Sequence, residues 1–323
     1  AKNRGHRHVA SRLKPIIGAF REENTPLSVY QIDHTLVDIE LVDDVHRIPI
    51  GRPWLTLIID VTCRTIPAWY LSLDPPGALG AGSAISQAIL PKGPLLAELG
   101  VPYKWPCQGI PGVIHADNAG EFHGDMLSMA CQERGFTIEY RKLKKPEYGA
   151  HIERLTGTLM RRIKALPGAT FSNPKEREDY DSESHAAFTL NALNKWLAHL
   201  ILGEYHNSEH SSLNGKSPLQ RYSDGILGDE GAPGIGKIVI SNDPERLKID
   251  FLPVELRTIQ AEGVEIDTIT YQGPQLARWI GSRDPNTRKL ARKFIFRRDP
   301  RDISAVLFYD PQLDEYFRIP YAN

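Results

Sequence analysis

Cysteine is scarce in this chain, which leaves few options for covalent staples. Only Cys63, Cys107 and Cys131 are present, far apart and without a CxxC pair. An odd number at such spacings fits a reducing compartment and argues against a disulfide framework or a cysteine-built zinc site. Long apolar runs are missing as well. No stretch of 18 or more apolar residues occurs, so no membrane-spanning helix is predicted. The opening AKNRGHRHVA has neither an initiator methionine nor the apolar core of a secretion signal, and it reads as the interior of a longer protein with further domains expected upstream. A charge excess is also lacking. The formal net charge is −1, which excludes a surface coated throughout in positive charge. No internal repeat or low-complexity tract is present, and no Ser, Tyr or Cys stands in a setting that marks an activated nucleophile.

What is present is segregated charge. Residues 1–24 carry Lys2, Arg4, Arg7, Arg12, Lys14 and Arg21 against Glu22 and Glu23. Residues 141–164 carry Arg141, Lys142, Lys144, Lys145, Arg154, Arg161, Arg162 and Lys164 against Glu147 and Glu153. Residues 278–301 carry Arg278, Arg283, Arg288, Lys289, Arg292, Lys293, Arg297, Arg298 and Arg301 against Asp284 and Asp299. A solvated face accounts for any one of these. Three in a neutral chain predict a polyanion held at several places.

At 323 residues the chain has material for two domains with cores of their own. After a basic arm over residues 1–27, LSVYQIDHTLVDIEL, PWLTLIIDVTCR and TIPAWYLSL read as three strands of an antiparallel meander. GSAISQAIL and GPLLAELG read as helices, the second ended by Gly100. GVIHAD is a short strand, HGDMLSMACQERG a helix stopped by Gly135, FTIEYRKL a fifth strand, and Gly149 to Leu166 a further helix. This order predicts an α/β domain over 28–222, a mixed five-stranded sheet flanked by helices. Another helix is expected over 185–205. Residues 223–236, rich in Gly, Pro and Asp, read as a linker. Beyond it KIVI, LKIDFL, VEIDTITY, ARKFIFRR, ISAVLFYD and EYFRIPY are short runs spaced by turn residues, which predict a small β-barrel over 237–323.

Carboxylates carry the functional signal. Asp33 sits mid-strand in QIDHT, where Asp is disfavoured. Asp117 closes the strand GVIHAD, although the following Asn118 and Gly120 also suit a turn. In the helix from Gly149, Ile152, Leu155, Leu159, Ile163 and Leu166 form the core-facing stripe, and Glu153 lies one residue, about 100°, off it near the helix start. Asp60, mid-strand in LTLIID, is a competitor for Asp33.

These motifs, with 35 residues between Asp117 and Glu153, resemble the D,D(35)E signature of the retroviral integrase and DDE transposase superfamily. GRPWLTLIIDVTCR, YGAHIERLTGTLMRRIKALPG and YHNSEHSSLNGKSPLQRY are similar to the TniA/TnsB-type transposases, relatives of phage Mu transposase. The resemblance covers most of residues 28–222, and the tail resembles the small barrel that follows the Mu-like core. It implies an RNase H-like fold with Asp33, Asp117 and Glu153 as catalytic metal ligands. Three gathered carboxylates repel unless cations join them, and oxygen donors suit two Mg²⁺ ions, with Mn²⁺ able to substitute. The implied reaction is hydrolysis at the transposon 3′ end and then attack of the released 3′-OH on target DNA. The implied partners are transposon-end DNA, target DNA, a homo-oligomer (a tetramer) on paired ends, and an AAA+ ATPase regulator, in a bacterial cytoplasmic, nucleoid-associated setting. Lys144, Lys145, Arg154, Arg161, Arg162, Lys164, Lys293 and Arg297 are the expected phosphate contacts. His115, Asn118 and His151 are secondary candidates. A nuclease that cuts without joining, and a catalytically inactive architectural subunit, are the alternatives.

Overall fold

The computed structural model describes residues 25–118, 122, 124–141, 149–170, 181–236, 238, 240, 242–285, 287 and 289–322. Strand β1 (Val29–Leu36) pairs antiparallel with β2 (Trp54–Asp60), and β2 with β3 (Ala68–Ser72), as the meander predicts. β2 is a continuous apolar run because it is covered on both faces: Leu55, Leu57 and Ile59 enter one core, and Ile58 enters the other. Helix α1 (Ala78–Ile89) begins ahead of the expected GSAISQAIL. Helix α2 (Gly93–Leu99) stops at Gly100, whose φ of 62° lets its N–H turn back to Leu96. Next come β4 (Val113–Ala116), α3 (Asp125–Arg134), β5 (Thr137–Tyr140) and α4 (Ala150–Ile163). The α4 face that is buried is the expected one, Ile152, Leu155, Leu159 and Ile163.

β4 runs parallel to β1, and β5 parallel to β4, so the strand order is β3-β2-β1-β4-β5. An antiparallel half and a parallel half therefore meet at β1. α4 and α5 (Leu190–Ala198) cover one face, and α1 and α3 the other. This mixed sheet between helices is the RNase H-like α/β architecture. α5 starts behind a Thr189 cap and continues into a π-helical stretch, His199–Glu204. α6 (Pro218–Leu227) opens on a Ser217/Gln220 capping box and extends into the stretch expected as a linker.

The C-terminal part corrects the sequence reading in three places. LKIDFL is not a strand. It ends helix α7 (Pro244–Asp250), because the Asp243 side chain accepts the Arg246 N–H and Pro244 fills the first helical position. β6 (Val254–Arg257), not expected, follows it. β7 (Val264–Ile266) and β8 (Ile269–Tyr271) make a hairpin turning on Asp267 and Thr268, both at positive φ. β9 (Phe294–Arg297), β10 (Ala305–Asp310) and β11 (Glu315–Pro320) complete an antiparallel sheet of order β6-β9-β10-β11. Among the described residues this is an open sheet with a hairpin, not a closed barrel. Its core is aromatic, with Phe296 and Phe308 rings 5.4 Å apart. α7 fastens it to the first layer. Phe251 enters the α1/α3 core, stacked on Phe136 at 6.3 Å.

Candidate active site

Sheet register brings the first two acids together. β1 and β4 pair in parallel with Gln31 opposite His115, so two residues further on Asp33 and Asp117 reach the same level. Asp117 is the first residue past β4, where a strand end opens to solvent. Asp33 is half-buried and takes the His34 N–H on Oδ1 at 3.0 Å. Burial raises its pKa, Arg141 and the His34 N–H oppose that, and the Asp117 charge raises it further. The two carboxylates therefore feel one another.

The third acid arrives on α4. Gln31, buried in β1, accepts the Ile152 N–H at 3.1 Å and pins the first turn of the helix to the strand that carries Asp33. Glu153 is exposed on that turn. Between these acids lies Arg141. Ala116 pairs with Tyr140, so residue 141 stands across from Asp117, and the Arg141 N–H donates to the Ala116 carbonyl at 2.9 Å. Its Nη1 is 3.6 Å from Asp33 Oδ2, and its Nη2 donates to the Ile32 carbonyl at 3.0 Å. Gly149 leaves room for this approach: a Cβ there would stand 2.7 Å from Glu153 Oε1 and 2.8 Å from Arg141 Nη1. Arg141 was legible only as one charge in a basic segment. The parallel register is what assigns it to the acids.

Neighbouring groups hold this edge in place. His34 Nδ1 bonds Thr56 Oγ1 at 2.7 Å and its ring stacks on Phe122 at 5.0 Å. Tyr140 O–H donates to the Phe122 carbonyl at 2.6 Å, tying the chain after Asp117 to β5. Sequence reading passed over both, since their partners are 18 to 88 residues away. Asp60 is settled as structural. It is fully buried and accepts the N–H groups of Leu27, Thr62 and Cys63 at 2.8, 2.8 and 3.2 Å, at the far end of β2.

The secondary candidates separate. His115 is buried with Nε2 3.3 Å from Glu139 Oε2, a cross-strand pair. Asn118 is exposed beside Asp117, and His151 is half-buried on α4. Of the expected phosphate contacts, Arg154, Arg161 and Arg162 are exposed on α4, with Arg162 paired to Glu204. Lys164 is half-buried and Lys293 exposed. Lys144 and Lys145 lie outside the described residues. Arg297 is a correction. At 1% exposure it is buried, donating to the Leu252 carbonyl and to Tyr316 Oη, so it faces protein and not DNA. Much of the third basic segment is likewise neutralised from within, Arg278 by Asp310, Arg298 by Asp267 and Arg301 by Asp299.

Chemically, an all-carboxylate set suits hard divalent cations, and the burial that raises the Asp33 pKa is a cost such a cation relieves. Among the described residues no three acidic, His or Cys side chains stand close enough to share one ion. Arg141 supplies the positive charge beside Asp33 instead.

Comparison with known proteins bears on the whole arrangement. The family description TnsB C-terminal domain matches residues 31–168, and Mu transposase, C-terminal, matches residues 249–317. Over those two stretches the chain is similar to the TnsB/Mu-like transposases. It is 25% identical over 304 residues to the transposase for transposon Tn552 of Staphylococcus aureus, covering 92% of this chain and 56% of that protein. It is 25% identical over 302 residues to the Tn7 transposition protein TnsB of Escherichia coli, covering 84% of this chain and 42% of that protein. The chain thus spans about half the length of the curated relatives it matches. Among solved structures, a simian T-cell lymphotropic virus intasome in complex with the PP2A regulatory subunit B56 gamma aligns over 94% of this chain and 80% of that one, at 13% identity and a TM-score of 0.41. The HTLV-2 integrase catalytic core domain in complex with magnesium aligns over 61% and 97%, at 15% identity and a TM-score of 0.34. The fold assignment rests on the strand order and not on these two likenesses.

Proposed function

We propose that this chain is the catalytic part of a DNA transposase, cleaving at transposon 3′ ends and joining those ends to target DNA, with Asp33, Asp117 and Glu153 as its catalytic acids. The observation that carries the reading is the parallel β1/β4 register. It sets Asp117 level with Asp33 at the sheet edge where Gln31 anchors the helix bearing Glu153. The same three carboxylates would hold two Mg²⁺ ions, or Mn²⁺ in their place. Bound there, the cations would activate the attacking oxygen and stabilise the leaving one in an in-line displacement. The chain's own part is positional: β1 and β4 fix two carboxylates, α4 brings the third, and Arg154, Arg161, Arg162, Lys164 and Lys293, with Lys144 and Lys145, contact the DNA backbone. On this reading the substrates are transposon-end and target DNA, the active form is a homo-oligomer on paired ends, and an AAA+ ATPase selects the target.

The test is strand transfer with Mg²⁺ by the intact protein, compared with Asp33→Asn, Asp117→Asn and Glu153→Gln. Each variant is expected to keep DNA binding and lose joining. A variant that joins DNA normally removes its residue from the ligand set. Cleavage without joined products in the wild type replaces the transposase reading with that of a nuclease.

A further inference from the structure

The third basic segment is not neutralised evenly. Arg278, Arg298 and Arg301 each sit on a carboxylate and Arg297 is buried, but the stretch between Trp279 and β9 keeps its charge. Residues 282–292 fold back on themselves as a short two-stranded ribbon. The Asp284 N–H donates to the Leu290 carbonyl and the Arg292 N–H to the Ser282 carbonyl, both at 2.9 Å, with Arg283 across from Ala291. Asp284 closes the turn, its Oδ1 accepting the Thr287 N–H at 2.9 Å and the Thr287 hydroxyl at 3.4 Å. Arg283 Nη1 donates to the Lys289 carbonyl at 3.2 Å, so one of its donors ties the two strands together.

Alternation along the paired strands sorts the side chains of the ribbon onto two faces. Ser282, Asp284 and Arg292 take the inner face and are half-buried, while Leu290, nearer the turn, is exposed. Arg292 is the anchor. Its guanidinium lies 5.0 Å from the ring centre of Trp279 and 4.9 Å from that of Phe294, two rings of the C-terminal core, so the ribbon is seated on the sheet and held in one orientation. The outer face carries Arg283, Lys289, Ala291 and Lys293, all exposed. Among the described residues none of its three cations pairs with a carboxylate. Lys289 and Lys293 are four residues apart, at most about 14 Å of chain.

We propose that this ribbon is a clamp on the backbone of duplex DNA, with Lys289 and Lys293 as its phosphate contacts and Arg283 adding charge between the two strands. The proposal rests on the DNA-processing reading above and deepens it. It gathers the DNA contact of the C-terminal sheet onto one built element, whereas the sequence spread it over a whole basic segment. Charge complementarity selects the occupant: the outer face is cationic without a neutralising acid, and a duplex offers regularly spaced anions whose counterions it can release. A protein partner would need a large apolar or aromatic anchor, and Arg283, Lys289, Ala291 and Lys293 supply none. Such a clamp positions DNA without reading its sequence.

The test measures affinity for a mixed-sequence duplex against salt concentration, using the intact protein and two double variants that remove the same charge. Lys289→Gln/Lys293→Gln strips the outer face of the ribbon. Arg301→Gln/Arg318→Gln removes two exposed cations that are already paired, with Asp299 and Asp302. All four side chains are exposed, so both variants should keep the melting temperature of the wild type. Losing two phosphate contacts should make the slope of log affinity against log salt shallower by about 2 in the ribbon variant, with weaker binding at fixed salt. The paired-cation variant should change the slope by less than half as much. A ribbon variant with the wild-type slope would overturn the proposal and leave the ribbon as a site for an acidic protein. Equal effects of the two variants would also overturn it, since net charge and not the ribbon would then set the affinity. A wild type that binds no duplex would bring down the functional reading itself, an outcome distinct from either of these.

Discussion

At the scale of single residues, Arg141 is the group that most changes how the site is understood. Its guanidinium stands 3.6 Å from Asp33 and beside the space that Gly149 leaves open to Glu153. A cation entering among the acids meets a charge already there. Arg141→Gln is therefore expected to bind Mn²⁺ several-fold more tightly than the wild type when titrated without DNA, since one competing positive charge is gone. Equal or weaker binding would show that Arg141 does not compete with the cation. His206 makes a different prediction. It is fully buried, its Nε2 accepts the Ile66 N–H at 2.9 Å, and burial depresses its pKa to about 3. The unfolded chain, with an ordinary histidine near 6.5, binds the proton that the native state refuses. Its contribution is thus complete above pH 6.5 and is lost as pH falls toward 3, by up to about 1.4 kcal/mol per unit. Denaturation midpoints should fall across that window. His206→Gln, which keeps an acceptor for Ile66, should flatten the fall by about one proton's worth.

At the scale of elements, α1 and α7 touch where no side chain intervenes. A Cβ on Gly82 would lie 2.1 Å from the Phe251 carbonyl oxygen, and backbone cannot step aside as a flexible side chain can. Gly82→Ala should cost about 1 to 3 kcal/mol in chemical denaturation even though alanine favours helix. A neutral or stabilising result would show that α7 does not seat as closely as this. Which elements were readable beforehand follows from where their information sits. β1, β2, β4 and α4 carried theirs locally, in apolar runs and in the 152, 155, 159, 163 stripe. α7 did not, because LKIDF alternates like a strand, and its helix depends on the Asp243 and Pro244 cap just upstream. Arg297 beside Phe294 and Phe296 reads as a solvated strand residue. Its burial depends on the Leu252 carbonyl, 45 residues earlier, and on Tyr316, 19 later. The acids were legible as a motif, whereas the Arg141 and Gln31 that position them are visible only once parallel strands are in register.

At the scale of the molecule, one carboxylate links the two layers. Asp250, at the end of α7 and fully buried, pairs with Arg134 of α3 and takes the Tyr316 hydroxyl of β11 at 3.2 Å. Tyr316 in turn receives Arg297 from β9, so α3, α7 and the C-terminal sheet meet in a single polar network under an apolar contact made by Phe251. Such a network couples the parts because each buried charge is satisfied only while the others stay in place. Removing its centre by Asp250→Ala leaves the Arg134 guanidinium largely buried without a counter-charge, a loss on the order of 3 to 5 kcal/mol. The wild type should unfold in one calorimetric transition, since the layers share both a core and this carboxylate. Asp250→Ala should separate it into two, with the aromatic sheet around Phe296 and Phe308 melting apart from the five-stranded layer. Asp250→Asn, which keeps an acceptor for Tyr316 but not the charge for Arg134, should fall between them. If Asp250→Ala still melts in one transition at an undiminished midpoint, the apolar contact of Phe251 alone joins the layers, and Phe251→Ala becomes the substitution expected to split them.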